Sequence, residues 1–300
     1  MKVLVTGSEG FVGNHLCRRL AAGGHGVVEA KGPGSEGGVD VRDLALLAEL
    51  FHKSRPDAVV HLAAVSSVSK SHGNPVETLD VNVVGTTALL AAARMAVPRA
   101  RLLVVGSGEV YGRGSNALPA PETAPLEPLS PYAASKAAAE MVALQFHRAY
   151  GTDVVCVRAF NHLGSGQALD FAIPSFASQL ASIRRGDAPP VLRTGDLTPV
   201  RDFLHVDDVV TAYELLLREG IAGQIYNVAS GEGRSLRSLL DEMLALSGVD
   251  ARVEVDGARL RPVEIPALVG DPGRLVALGW SPRHDVREAL RDVLEEHGAV

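Results

Sequence analysis

A short apolar run, Lys2-Val3-Leu4-Val5, opens into Thr6-Gly7-Ser8-Glu9-Gly10-Phe11-Val12-Gly13, after which Val12, Leu16 and Leu20 recur at helical spacing. The unit reads as a buried strand, a glycine turn and a helix. Gly7 permits the tight turn, Gly10 lets the backbone approach a pyrophosphate, and Gly13 lets helix and strand pack closely. Phe11 and Val12 belong to a helix N-terminus, which offers unsatisfied N–H groups and partial positive charge to phosphates. Glycine spacing alone also fits a turn that binds nothing. The strand before it and the helix after it are what point to a dinucleotide site.

The pattern then repeats. A second strand is expected at about Gly26 to Ala30. The ribose of NAD is usually met by an acid near the end of this strand. Glu29 lies slightly early for that role, and Lys31 stands where the acid is expected. A cation there favours the extra phosphate, so NADP(H) is favoured over NAD(H), unless both side chains are simply solvated. Val39-Asp40-Val41-Arg42-Asp43 reads as a short strand and the start of a helix with Leu44, Leu47 and Phe51 on one face. Asp40 and Val41 are placed with the cofactor, Asp40 either reaching an adenine amine or merely closing the turn. Ala58 to Ala64 is another buried strand, and its small residues after Leu62, Ala63 and Ala64, let a flat ligand approach, though they also suit helix packing. A helix is expected over about Leu79 to Met95, with Asn82 inside it, and strands at Arg101 to Val105 and Val154 to Val157. Open parallel sheets bind ligands outside the carboxyl ends of their strands, where Ser107 and Glu109 fall.

Alternating strands and helices imply an α/β fold, a doubly wound parallel sheet in the first half. Later the alternation breaks. Helices are expected at Phe176 to Arg185, Asp207 to Arg218, around Leu236 to Met243 and around Val286 to Leu294, with strands at Val200 to Val206 and Gln224 to Ala229. This half reads as a smaller cap closing over the sheet. Apolar residues make up 46% of the chain and aromatics only 4%, so the core is aliphatic, as buried parallel sheets tend to be. The formal charge of −6 argues against nucleic acid or an anionic membrane as the main partner. No uninterrupted apolar run reaches spanning length. Cys17 and Cys156 fit no disulfide or zinc pattern, and no apolar leader follows Met1, so a cytoplasmic location is expected. The ten histidines show no ligand spacing, so no metal is expected. No Gly-x-Ser-x-Gly elbow marks a hydrolase.

Ser130-Pro131-Tyr132-Ala133-Ala134-Ser135-Lys136 starts a helix, with Ser130 as N-cap and Pro131 in the first turn. Tyr132 and Lys136 leave from one face. A cation beside the phenol lowers the tyrosine pKa toward neutrality and suits it to proton transfer. By itself the pair also fits an ordinary amphipathic helix.

With Thr6-Gly-x-x-Gly-x-x-Gly13, His61-Leu-Ala-Ala64, Asn82-Val, Ser107 and Tyr132-x-x-x-Lys136 in this order, the chain resembles the extended short-chain dehydrogenase/reductases over nearly its whole length. The resemblance implies a Rossmann-type NAD(P) domain, residues 1–161 plus about 202–230, and a smaller nucleotide-sugar domain, about 162–201 plus 231–300. It implies that Ser107 binds the reacting oxygen, Tyr132 transfers the proton, and Lys136 tunes Tyr132 and holds the nicotinamide ribose. Leu62, Ala63, Ala64 and Asn82 join the cofactor set. Arg158-Ala-Phe-Asn161-His162, Gly164-Ser-Gly-Gln167, Phe176-Ala-Ser-Gln179, Gly195-Asp-Leu197, Arg201-Asp-Phe203 and Arg261-Pro-Val-Glu264 look most like the GDP-mannose branch. Asn161, Arg201, Arg261 and Glu264 are therefore substrate-binding candidates. The arginines suit a diphosphate because guanidinium binds phosphate in bidentate fashion, and Glu264 suits a ribose. Each arginine alone also fits a surface ion pair.

The leading expectation is NAD(P)H-dependent reduction of the C4 ketone of a GDP-4-keto-6-deoxy sugar. Ser107, where dehydratases of the branch carry Thr, leans toward a reductase. Glu109 fits both, and a 4,6-dehydratase or C4 epimerase that regenerates its cofactor is the competing expectation. A non-catalytic dinucleotide sensor would need neither Ser107 nor the Tyr132/Lys136 pair. The branch also implies a homodimer through the helices around Leu79 to Met95 and Tyr132 to Tyr150.

Overall fold

Six parallel strands occupy the centre of the computed structural model, which describes residues 1–114, 118–260 and 265–300. Their order is Gly26–Ala30, Lys2–Thr6, Ala58–His61, Arg101–Ser107, Val154–Ala159 and Ile225–Val228. The chain winds outward from Lys2–Thr6 first to one side and then to the other, which makes the sheet doubly wound and places the order reversal beside the first glycine turn. Alternate side chains of a strand face opposite layers. Val3 and Val5 accordingly join Leu16, Leu20, Val209 and Leu216 on one face. Leu4 joins Leu89, Leu90, Leu102 and Phe146 on the other. Both faces are covered, which is why these strands are almost uninterruptedly apolar.

A third buried cluster gathers Leu163, Phe176, Leu180, Phe203, Leu239 and Leu290 from the C-terminal elements. Strand Val200–His205 is the hub there. It pairs with Asn161–Leu163 and Ala267–Leu268 in parallel and with Gly233–Ser235 antiparallel. The chain then returns to the main sheet through helix Val206–Glu219, which packs beside helix Phe11–Ala22, and through strand Ile225–Val228.

Several expectations are corrected. Val39 to Asp43 forms no strand. The Asp40 carboxylate accepts the Arg42 amide at 2.9 Å, and Asp43 caps helix Leu44–Ser54 by accepting from Ala45 and Leu46. These side-chain bonds offer the backbone an alternative to a ladder. The helix expected from Leu79 starts at Pro75 and continues to Ala96, through a wider π-type turn at Asp80–Val84. Its 22 residues are long and apolar enough to cross a bilayer by length and composition alone, but the run is broken by Glu77, Asp80 and Arg94, and Leu89, Leu90, Ala92 and Ala93 pack into the sheet core. Helix Ala172–Arg184 starts four residues before Phe176. Strands Asn161–Leu163, Val191–Thr194, Gly233–Ser235, Arg252–Val255 and Ala267–Leu268 are too short for periodicity to mark them.

Candidate active site

A cavity of about 1150 Å³ runs along the carboxyl ends of the main-sheet strands and on toward the C-terminal elements. Gly7, Gly10, Phe11, Val12, Lys31, Asp40, Val41, Leu62, Ala63 and Ala64 line one end. Ser107, Glu109, Tyr132 and Lys136 line the middle, and Asn161 and Arg201 lie farther along.

The first end is shaped for a dinucleotide. Gly7 has φ +69°, and a Cβ there would sit 2.8 Å from the Ala63 amide nitrogen. A Cβ on Gly13 would sit 2.2 Å from the Gly7 carbonyl oxygen. Any side chain at either position would therefore force the loop open. Helix Phe11–Ala22 has no side-chain cap and no acid in its first turn. Its N-terminal N–H groups are thus left for an anion, and the macrodipole favours a phosphate there. Lys31 follows the second strand and lies 3.8 Å from the Glu9 carboxylate, which also accepts from the Ser35 hydroxyl at 2.5 Å. Asp40 is gripped by the Arg42 guanidinium, whose Nη1 also reaches Asp80 at 2.8 Å. The hydrogen bonds from Arg42 hold Asp40 below the usual carboxylate range.

The middle of the cavity brings the expected triad together. Ser107 ends the strand Arg101–Ser107 and is buried, its Oγ accepting from the Glu109 amide at 3.2 Å. Helix Pro131–Tyr150 is capped by Ser130, whose Oγ accepts from Ala133 at 3.1 Å. That start places Tyr132 in the cavity wall with Ser107 and Lys136. One expectation fails here. Burial pushes the Tyr132 pKa up to about 12, and the Glu109 carboxylate adds to the rise against the opposing influence of the Ser107 side chain. The hydrogen bond of Lys136 goes to the neighbouring strand. Its ammonium donates to the Val105 carbonyl at 2.8 Å, and burial pushes its own pKa down to about 8. In a desolvated site the loss of hydration outweighs the attraction that the spacing alone suggests.

Asn82, expected at the cofactor, lies behind the wall. It is buried, its Oδ1 accepts the Val65 amide at 2.8 Å, and its Nδ2 donates to the Val65 carbonyl at 3.1 Å and to Ser135 Oγ at 2.8 Å. It shapes the loop after Leu62 instead of lining the cavity, because its amide is taken up by the Val65 backbone and the Ser135 hydroxyl. Arg201 is buried, which removes the surface ion pair as an explanation, and its Nη1 donates to the Val200 and Ile265 carbonyls at 2.9 and 2.7 Å. Arg261 and Glu264 lie outside the described residues.

The reading of the sequence missed further lining residues. Phe11 stacks on His162 with centroids 5.8 Å apart, and burial lowers the His162 pKa. Gln167 reaches the wall with its Nε2 donating to the His162 carbonyl at 3.2 Å. Tyr213, fully buried in helix Val206–Glu219, and Arg259, whose Nη1 donates to Ser175 Oγ at 3.2 Å, also line the cavity. The Arg158-to-Gln167 motif pointed near His162 and Gln167. Tyr213 sits in an amphipathic helix, where its period reads as core. Among the described residues, no group of three His, Cys, Asp or Glu side chains is arranged to hold a metal ion.

Residues 3–229 match the NAD dependent epimerase/dehydratase family. The chain belongs to this family. Among its members the chain is 37% identical over 297 residues to GDP-6-deoxy-D-mannose reductase of Pseudomonas aeruginosa, an alignment spanning 98% of this chain and 96% of the relative. The fold matches the structure of RMD from Pseudomonas aeruginosa complexed with NADPH at a TM-score of 0.90 and 36% identity, over 99% of this chain and 98% of that one. It matches the Thermus thermophilus UDP-glucose 4-epimerase complexed with NAD at 0.87 and 32% identity, over 100% of both chains. This family member is thus an α/β enzyme of the extended short-chain dehydrogenase/reductase type.

Proposed function

We propose that this protein uses NADPH to reduce the C4 ketone of a GDP-linked 4-keto-6-deoxy-hexose, giving a GDP-rhamnose or GDP-6-deoxytalose type of product. The observation that carries the reading is that Ser107, Tyr132 and Lys136 stand together in the wall of a cavity whose neighbouring end is the glycine cradle. The bound nicotinamide supplies the hydride. Ser107 holds the ketone oxygen as a positioned donor, and Tyr132 gives its phenolic proton to the developing alkoxide. Burial and Glu109 keep Tyr132 protonated at neutral pH. A protonated phenol is the acid that a reduction needs, whereas a dehydratase or epimerase begins by oxidising the sugar and needs a base. The similarity to GDP-6-deoxy-D-mannose reductase supports a reductase and the guanosine diphosphate.

Lys31, at the end of the second strand and facing the cavity, supports NADPH over NADH. Residues 1–161 with about 202–230 would hold the dinucleotide, and about 162–201 with 231–300 the nucleotide sugar. Asn161, Arg201, Arg261 and Glu264 remain our assignments to the sugar nucleotide. A homodimer through helices Pro75–Ala96 and Pro131–Tyr150 is supported by exposed Val76, Val84, Met95 and Met141 on them.

Turnover with GDP- and dTDP-linked 4-keto-6-deoxy sugars tests the reading. We expect one NADPH oxidised per GDP-sugar reduced. Conversion of the sugar without net loss of NADPH would instead establish a dehydratase or epimerase.

A further inference from the structure

We propose that His61 is a positioning residue, a neutral imidazole that holds the cofactor loop at Ala63 in register with the helix that carries Tyr132 and Lys136. The catalytic half of this inference rests on the site reading above. The structural half does not.

His61 ends the strand Ala58–His61 and is buried behind the cavity wall. Its Nδ1 lies 2.8 Å from Thr6 Oγ1 and its Nε2 lies 3.1 Å from Thr86 Oγ1. The proton positions follow from the outer partners. Thr86 Oγ1 donates its only proton to the Asn82 carbonyl at 2.6 Å. Its oxygen can then only accept from the ring, so Nε2 carries the hydrogen. Nδ1 is left as an acceptor and takes the Thr6 hydroxyl proton, while Thr6 Oγ1 accepts from the Ala63 amide at 3.3 Å. Every donor in the row points the same way.

The row reaches the cavity at both ends. Thr6 and Ala63 line the dinucleotide end. At the other end, Asn82 Nδ2 donates to Ser135 Oγ, which donates to the Tyr132 carbonyl at 2.7 Å. The two catalytic elements lie on different segments, and His61 is the link between them in this row. A second proton on the ring would leave the Thr6 hydroxyl without its acceptor and set a cation near Lys136. Burial first, and the Lys136 charge second, push the His61 pKa down to about 3.

Two variants divide the ring. His61→Asn keeps an acceptor near Nδ1 and loses the donor to Thr86. His61→Gln keeps a donor near Nε2 and loses the acceptor for Thr6. We expect His61→Gln to raise the NADPH Kd about tenfold with kcat at saturation near wild type, as for one lost buried hydrogen bond. We expect His61→Asn to lower kcat about tenfold with the NADPH Kd nearly unchanged. Equal loss of Kd and kcat in both variants, or no change in either, would overturn the proposal and leave His61 a packing residue. Nitrogen NMR of histidine-labelled wild-type protein supplies a readout free of activity, the His61 signals being those that vanish in His61→Asn. We expect a neutral Nε2–H tautomer throughout about pH 5 to 9, where a free histidine titrates. The opposite tautomer, or titration in that range, would refute the assignment. Dinucleotide binding and NMR need no sugar, and kcat is measured on whichever 4-keto sugar the wild type reduces. Failure of the substrate reading therefore leaves these outcomes readable.

Discussion

Lys136 donates to the carbonyl oxygen of Val105 at 2.8 Å, which ties the helix carrying Tyr132 to the strand ending in Ser107. The bond sets the donor pair of the site before any ligand arrives. Donors held in place in this way need no reorganisation when charge develops on the substrate oxygen. It also gives the buried Lys136 ammonium a partner, since among the described residues it forms no ion pair. A strand-end carbonyl takes the place of a counter-ion, and the ammonium pKa falls.

Tyr132→Phe should lower kcat by about 10²–10⁴-fold, the usual worth of a general acid. The substitution removes one hydroxyl and little volume, so both ligands should bind with nearly unchanged affinity. Stopped-flow loss of NADPH absorbance on mixing with the 4-keto sugar measures it. A rate near wild type would move attention to Glu109.

Lys31→Ala should reduce kcat/KM with NADPH about tenfold while leaving NADH nearly unaffected, as for one lost charged phosphate contact. Glu9→Gln, which frees Lys31 from its carboxylate neighbour, should shift preference further toward NADPH. Steady-state kinetics with both cofactors decides this, and equal loss with both would exclude a phosphate contact.

Arg158 and Glu140 form a buried pair, with Nη2 donating to Oε1 at 2.7 Å and Nε to Oε2 at 2.8 Å. Glu140→Gln should destabilise the fold by about 3–5 kcal/mol because it strands a buried guanidinium. Urea unfolding followed by circular dichroism reads the change, and a loss under about 1 kcal/mol would mean that the site rehydrates.

Burial works against a charged His284, but its hydrogen bond and attraction to Asp208, helped by Asp207 and Glu288, raise its pKa above 6.5. A raised folded pKa gives stability that is complete below the unfolded value and disappears as pH rises through the folded one. The wild type should therefore lose urea resistance relative to His284→Gln as the pH rises above about 6.5. A constant difference across that rise would remove His284 as the source.

Lys2–Val5, the glycine turn and the repeated strand–helix alternation were enough to foresee a doubly wound sheet. Burial on both faces demands apolar runs, and the turn demands glycine at Gly7, where φ is positive. The Ser107, Tyr132 and Lys136 set was picked out by the family resemblance, and the fold brings all three to one cavity because they stand at a strand end and a helix start.

Charge behaviour inside the site was not legible. Tyr132 and Lys136 lie four positions apart, yet spacing carries no information about hydration. Burial raises one pKa and lowers the other, against the direction that the helix face alone suggests. Asn82 reads as a cofactor residue in one dimension, but only the path of the Val65 loop beside it turns its amide away from the cavity. Tyr213, His162 and Arg259 reach the wall from separate elements of the later half, where three short strands pair with Val200–His205 and the other two pair with each other. Local periodicity encodes which face of an element is buried. What an element is buried against depends on segments far apart in the chain, and desolvation, hydrogen-bond partners and the cavity itself arise only when those segments meet.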